Sequence, residues 1–110
     1  MADIKVLEKK ADFDELVKVV KAAGDKAIII DFHASWCGPC KMIKPFFQEM
    51  AASHPGIVSA TADVDDADDL AELMEVQAMP TFVVFKGGQK IDSMTGASKE
   101  KLKALFDKYN

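Results

Sequence analysis

Apolar residues recur along the chain at two different spacings, which predict helices alternating with strands. A short strand is expected over 4–7. A helix follows, because apolar residues then recur every three or four positions. Its apolar positions are Phe13, Leu16, Val17 and Val20. Asp12, with Glu15 three residues later, has the pattern of a capping box and is predicted as the N-cap. Gly24 is predicted to end this helix.

The middle of the chain predicts a buried strand, a long helix and a further strand. Ala27–Phe32 is a nearly continuous apolar run, as in strands that are covered on both faces. A helix from about Cys37 to Ser53 follows, and Pro45 is expected to interrupt it with a kink because proline removes a backbone hydrogen bond. Ile57–Ala62 has the pattern of a third strand.

The last third predicts a short helix, a hairpin and a terminal helix. Asp66 and Asp69 are expected to open the short helix, whose apolar positions are Leu70, Leu73 and Met74. Thr81–Phe85 and Gln89–Met94 are two strands, and the Gly-Gly pair between them favours a hairpin. Ser98 is predicted to cap the last helix. Its apolar face consists of Leu102, Leu105, Phe106 and Tyr109.

This order of elements, β-α-β-α-β-α-β-β-α, predicts an α/β fold with a mixed central sheet and helices on both faces. The first three strands are separated by helices, so they are expected to be parallel. The final hairpin must be antiparallel. The length of 110 residues suits one domain over 1–110.

Composition narrows the class of protein. Hydrophobic residues make up 49% of the chain, which suffices for one core. The formal charge of −4 gives no basic surface for a nucleic acid. No stretch is long and apolar enough for a membrane span or a signal-peptide core, so a cytoplasmic, or also nuclear, location is expected.

Two cysteines, Cys37 and Cys40, lie where the apolar strand gives way to a helix. The unpaired N–H groups of a helix start favour an anion, so the pKa of Cys37 is expected to fall. Cys37 precedes the helix and is expected to be exposed, whereas Cys40 lies one turn in and is shielded. Cys37 then attacks a substrate disulfide, and Cys40 resolves the mixed disulfide. Gly38 allows close approach of another backbone, and Pro39 fixes the first turn.

Two metal sites are weaker alternatives. A zinc ion normally has four ligands, and beyond the cysteine pair the chain offers only His33, His54 and carboxylates at irregular spacing. The acidic run 63–69 lacks the glycine and terminal glutamate of a calcium-binding loop. We therefore expect no metal site and take the acidic run as a solvated loop.

The segment Trp36-Cys-Gly-Pro-Cys40, together with Asp31-Phe32 and Met79-Pro80-Thr81-Phe82, resembles the thioredoxin family. The resemblance covers nearly the whole chain and is greatest to animal cytosolic members, through the segments 63–66 and 96–102. It implies a thioredoxin-like fold and reduction of protein disulfides. It also implies that a reductase such as thioredoxin reductase restores the dithiol, without a bound cofactor.

Asp31 is the only charged residue of its strand, and burial is expected to raise its pKa. From position alone, a water-facing aspartate is equally plausible; the resemblance implies that Asp31 exchanges a proton with Cys40. Bacterial thioredoxins carry a lysine at the position of Thr61, so a charge partner for Asp31 is expected to be absent. Asp63 is expected to raise the pKa of Asp31 further if the two carboxylates come close. His33 is interpreted as a partly exposed strand-end residue.

The resemblance also implies a substrate-binding surface around Cys37. A cis peptide bond is expected between Met79 and Pro80, which leaves the backbone of Met79 free to pair with an extended substrate. Ordinary packing is an equally good interpretation of Val76 and Ala78. The expected apolar patch comprises Trp36, Val76, Ala78, Met79, Gly96 and Ala97.

A redox-gated binding module with little turnover is the alternative function. Some animal thioredoxins carry further cysteines that allow covalent dimers, but this chain has Ala78 at the position before Met79-Pro80 and no third cysteine. A monomer is therefore expected.

Overall fold

A computed structural model of the chain describes residues 3–110, so residues 1 and 2 of the predicted domain lie outside the described range. The elements follow the predicted order. They are β1 (Lys5–Val6), α1 (Lys10–Ala22), β2 (Ala27–His33), α2 (Gly38–Ser53), β3 (Ile57–Asp63), α3 (Asp68–Leu73), β4 (Thr81–Lys86), β5 (Gln89–Thr95) and α4 (Lys99–Tyr109).

The five strands form one mixed sheet in the order β1-β3-β2-β4-β5. The first three strands pair in parallel, and β4 is antiparallel to both β2 and β5, as predicted. The central strand β2 places Asp31 opposite Thr61 on one side and Phe82 on the other. Gly87 and Gly88 both have positive φ, which is the requirement of a tight hairpin turn.

Helices cover both faces of the sheet, so two apolar cores form. Successive side chains of a strand point to opposite faces. Ile28 and Ile30 therefore join the core beneath α1 and α3, while Ile29 joins the core beneath α2 and α4. Asp31 has the parity of Ile29, which places its carboxyl on the side of the sheet that α2 covers. This alternation brings β2 and α2 together at the site.

The boundaries of two helices differ from the prediction. The N-cap of α1 is Lys9, not Asp12; Asp12 lies in the first turn and accepts hydrogen bonds from the N–H groups of Glu8 and Lys9, at 2.9 and 3.2 Å. The helix α3 begins at Asp68 rather than Asp66. Its predicted apolar position Leu73 is 52% exposed, because so short a helix buries only one narrow stripe.

The long helix α2 runs from Gly38 to Ser53 with Pro45 inside it. A helix that continues across Pro45 agrees with the predicted bounds, and the kink at Pro45 stays a prediction. Packing of Ile43 and Phe47 against the sheet, on either side of the proline, keeps both halves on the same core.

Candidate active site

The two cysteines lie at the start of α2 and are joined by a disulfide bond, with their Cα atoms 5.3 Å apart. Cys37 is the N-cap residue, in extended backbone conformation, and its Sγ accepts a hydrogen bond from the Cys40 N–H over 3.2 Å. Gly38 and Pro39 form the first turn between them. The sulfur of Cys37 thus occupies the position where helix N–H groups stabilise negative charge.

Both cysteines are buried in this disulfide form. Cys37 is 6% exposed and Cys40 is 5% exposed, so the predicted contrast between an exposed and a shielded residue is wrong for the oxidised protein. Ala34 completes their buried cluster, and Val64 and Met79 pack against it. These neighbours cover the disulfide because the loop after β3 and the loop before β4 both reach the start of α2.

Asp31 lines the same cleft as Cys40 and is 3% exposed. Its Oδ1 has no hydrogen-bond partner among residues 3–110. Burial raises the pKa of Asp31 to about 7, against an ordinary value of 3.8, while the positive charge of Lys44 lowers it in part. The predicted rise is thus confirmed, and its cause is loss of hydration of the charged form.

A cleft of about 210 Å³ connects Asp31 with Cys40. Its further walls come from the end of β2, the first turns of α2 and the end of β3. They include His33, Ala34, Ser35, Lys41, Lys44, Phe47, Gln48, Thr61 and Asp63. The cleft places the buried carboxyl and the second cysteine beside a common space that is large enough for water.

Lys44 is a member of the site that the sequence analysis missed. The prediction that Asp31 lacks a charge partner is wrong, because the positive charge of Lys44 acts on the Asp31 carboxyl. Lys44 follows Cys40 by four residues, which puts both on one face of α2. That spacing was the signal available in the sequence.

Asp63 acts on His33 rather than on Asp31, contrary to the prediction. His33 is half-buried at the end of β2, as expected. Burial lowers the pKa of His33, Asp63 opposes this by raising it, and Lys44 lowers it further. Asp63 is not among the causes that shift Asp31.

Trp36 lies beside the disulfide with 67% of its surface exposed. Its Nε1–H donates a hydrogen bond to Asp65 Oδ2 over 3.1 Å. This bond fixes one edge of the ring and leaves most of its surface free for contact. Asp65 belongs to the acidic run that was expected to be a solvated loop, so its hydrogen bond to Trp36 was not predicted.

The loop before β4 brings part of the predicted substrate surface to the cysteines. The Met79–Pro80 peptide bond is cis, and the Pro80 carbonyl accepts a hydrogen bond from the Gly96 N–H over 2.9 Å. Ala78 and Ala97 are exposed. Val76 packs instead against the core beneath α1 and α3, so it does not contribute to the cysteine cluster.

The two metal alternatives find no support in the side-chain arrangement. Within residues 3–110, no three His, Cys, Asp or Glu side chains come together to hold a metal ion. His54 is instead buried between α2 and α4, where its ring nitrogens lie 2.8 Å from the Met50 carbonyl and 2.7 Å from Asp107 Oδ1.

No helix in the described part of the chain is long and apolar enough to cross a membrane.

Comparison with known proteins identifies the family. The family model named Thioredoxin matches residues 4–108. The thioredoxin of Equus caballus is 48% identical over 103 residues, covering 94% of this chain and 95% of the relative. The thioredoxin of Homo sapiens is 47% identical over 104 residues, with 94% and 96% covered.

Solved structures give the same result. A thioredoxin from Nicotiana alata superposes with a TM-score of 0.90 at 32% identity, covering 99% of this chain and 94% of that one. A thioredoxin from Plasmodium falciparum superposes with a TM-score of 0.88 at 36% identity, with 97% and 100% covered. With its bonded cysteine pair, the protein is a thiol–disulfide oxidoreductase that reduces protein disulfides. The chain belongs to the thioredoxin family and is of the animal type.

Proposed function

We propose that Cys37 is the attacking thiolate of this oxidoreductase and that Cys40 is its resolving partner. In the first step the Cys37 thiolate attacks one sulfur of a substrate disulfide, and the other substrate sulfur leaves as a thiolate. In the second step the Cys40 thiolate attacks the Cys37 sulfur, and the second substrate thiolate leaves. Two electrons have then passed to the substrate, and the Cys37–Cys40 disulfide remains.

The position of the disulfide at the start of α2 carries this assignment. The sulfur of Cys37 lies at the N-cap, where it accepts a backbone N–H, and Cys40 lies in the first turn. A thiolate at the N-cap is stabilised by the helix dipole, by about 0.3–1 kcal/mol at an exposed site and more in a partly buried one. Gly38 and Pro39 contribute by shaping this turn.

Asp31 is the proposed proton acceptor for Cys40. Cys40 must lose its proton before it attacks, and a base with a pKa near the working pH serves best. Burial brings the pKa of Asp31 to about 7, and the shared cleft offers a path for the proton through water. When Cys40 is bonded again, the proton can pass out through the same cleft.

The proposed substrate surface surrounds Cys37. Trp36 contributes an exposed ring, Ala78 and Ala97 are exposed neighbours, and Met79 packs directly against the cysteines. Among residues 3–110, the backbone N–H and C=O of Met79 form no described hydrogen bond, which leaves them for an extended substrate segment. Gly96 supports this loop through its bond to Pro80.

The proposed partners are protein disulfides as substrates and thioredoxin reductase as the source of electrons, with no cofactor besides the protein's own disulfide. Family membership supports both partners. Because the chain has no cysteine outside the active-site pair, it lacks a further thiol through which a disulfide-linked dimer could form. We therefore propose a monomer that works in the cytoplasm, with the nucleus as a further location.

A turnover assay separates this function from a redox-gated binding module. Reduction of a protein disulfide is followed in the presence of a thioredoxin reductase, with wild type beside Cys37→Ser. We expect steady turnover by wild type and none by the variant. Negligible wild-type turnover, with partner binding that survives Cys37→Ser, would support the binding module instead.

A further inference from the structure

Lys44 shares the cleft with Asp31 and Cys40, although it lies on a different element from Asp31. It follows Cys40 by one helical turn on α2, while Asp31 lies on the face of β2 that α2 covers. The lysine side chain is exposed, whereas the carboxyl is 3% exposed. One cleft therefore joins an exposed lysine, a buried acid and the second cysteine.

We propose that Lys44 is a positioning residue that acts as the electrostatic partner of Asp31 during the attack of Cys40. The proposal rests on the proton-accepting role of Asp31 described above. Lys44 itself touches no reacting sulfur in this account. It acts through the carboxyl, by favouring the ionised form that can take a proton.

Two opposing effects decide the state of Asp31. Burial alone would hold the carboxyl protonated through neutral pH, and a protonated acid cannot accept the Cys40 proton. A positive charge across the cleft restores part of the ionised population. The pKa of Asp31 reflects both effects, because burial raises it and the positive charge of Lys44 lowers it.

The other titratable or charged groups at the cleft are His33 on β2, Asp63 on β3 and Lys41 on α2. The facing strand β4 presents Phe82 opposite Asp31 and adds no charge there. Among these groups, Lys44 is the one whose charge shifts the pKa of Asp31, and it lowers that pKa. Lys41 has the same charge, lies on the same helix and lines the same cleft, so it is a matched control.

The direct test is a titration of the Asp31 side-chain carbon by NMR in the oxidised protein, which involves no catalytic step. We expect the midpoint to move upward in Lys44→Gln, to stay near the wild-type value in Lys44→Arg, and to stay unchanged in Lys41→Gln. Added salt should raise the wild-type midpoint toward that of Lys44→Gln, because an exposed charge is screened. Equal midpoints in wild type and Lys44→Gln, or an equal shift in Lys41→Gln, would overturn the proposal.

Kinetics of the second step separate this proposal from the role of Asp31. Release of reduced substrate from the Cys37 mixed disulfide is measured against pH. Lys44→Gln should move the inflection to higher pH, and Asp31→Asn should remove it, with or without Lys44→Gln. If Asp31→Asn removes the inflection but Lys44→Gln leaves it in place, only the Lys44 proposal fails. If the inflection survives Asp31→Asn, the proposed role of Asp31 fails, and the Lys44 proposal fails with it.

Discussion

The Nε1–H of Trp36 donates a hydrogen bond to the Asp65 carboxylate over 3.1 Å, which ties the aromatic ring beside the disulfide to the loop after β3. The ring is nevertheless 67% exposed. One polar contact therefore holds a large apolar surface in place without burying it. Such a surface suits recognition of a partner, because little side-chain freedom remains to be lost on binding.

Removal of this hydrogen bond should free the ring. Trp36 is the only tryptophan, so fluorescence anisotropy reports on it alone. We expect Asp65→Ala to lower the anisotropy, with a change in unfolding free energy within about 0.5 kcal/mol, as for other surface substitutions. Asp66→Ala is the control, because Asp66 is exposed and its side chain forms none of the hydrogen bonds described for residues 3–110. Equal anisotropy in wild type and Asp65→Ala would contradict the prediction that this hydrogen bond restrains the Trp36 ring.

Asp31 should make stability depend on pH. Its pKa is about 7 in the folded oxidised protein, against an ordinary value of 3.8. Between these two values the folded state binds more protons than the unfolded state, so stability falls as pH rises. The gap corresponds to roughly 4 kcal/mol, which is fully lost above pH 7.

The variant Asp31→Asn removes this titration. Compared with wild type by urea unfolding of the oxidised proteins, it should gain relative stability between pH 4 and pH 8, by a few kcal/mol, on the order of the linkage energy. Any cost of burying the amide is the same at both pH values and cancels from the comparison. Parallel stability curves across this range would contradict the account.

Two serines should respond oppositely to loss of the hydroxyl. Ser59 Oγ is buried without a partner among residues 3–110, whereas Ser53 Oγ bonds to the Met50 carbonyl and to His54 Nδ1, at 3.2 and 2.9 Å. We expect Ser59→Ala to leave stability unchanged or higher, and Ser53→Ala to lower it by about 0.5–1.5 kcal/mol. Unfolding free energies measure both; a loss in Ser59→Ala as large as that in Ser53→Ala would refute the prediction.

Elements of the fold with strong local patterns are predictable from the sequence. The continuous apolar run of β2 and the paired glycines before β5 depend on neighbouring residues alone. The start of α1, by contrast, depends on a residue that is distant in the chain. Its first turn is completed by Asp69, whose carboxylate oxygens accept the Lys10 N–H at 3.1 and 3.2 Å from 59 residues along the chain. A pattern among neighbouring residues therefore cannot predict this hydrogen bond from Lys10 to Asp69.

The residues of the site likewise differ in whether the sequence predicts them. The cysteine pair was predictable from its spacing, whereas the role of the strand-end carboxyl and the cis proline were predicted only through the resemblance to the thioredoxin family. The charges of Lys44 and Asp65 were not assigned, because surface lysines and aspartates are common and only the packing of α2 and of the loop after β3 brings these two to the site. The burial of Cys37 likewise depends on two distant loops.

The roles of the two cysteines are tested most directly by trapping the mixed disulfide. Cys40→Ser and Cys37→Ser are each reduced and mixed with an oxidised protein substrate, and mass spectrometry locates the cross-link. We predict that Cys40→Ser accumulates a stable adduct through Cys37 and that Cys37→Ser accumulates little. A stable adduct through Cys40 in Cys37→Ser, with none in Cys40→Ser, would reverse the assignment and contradict the mechanism.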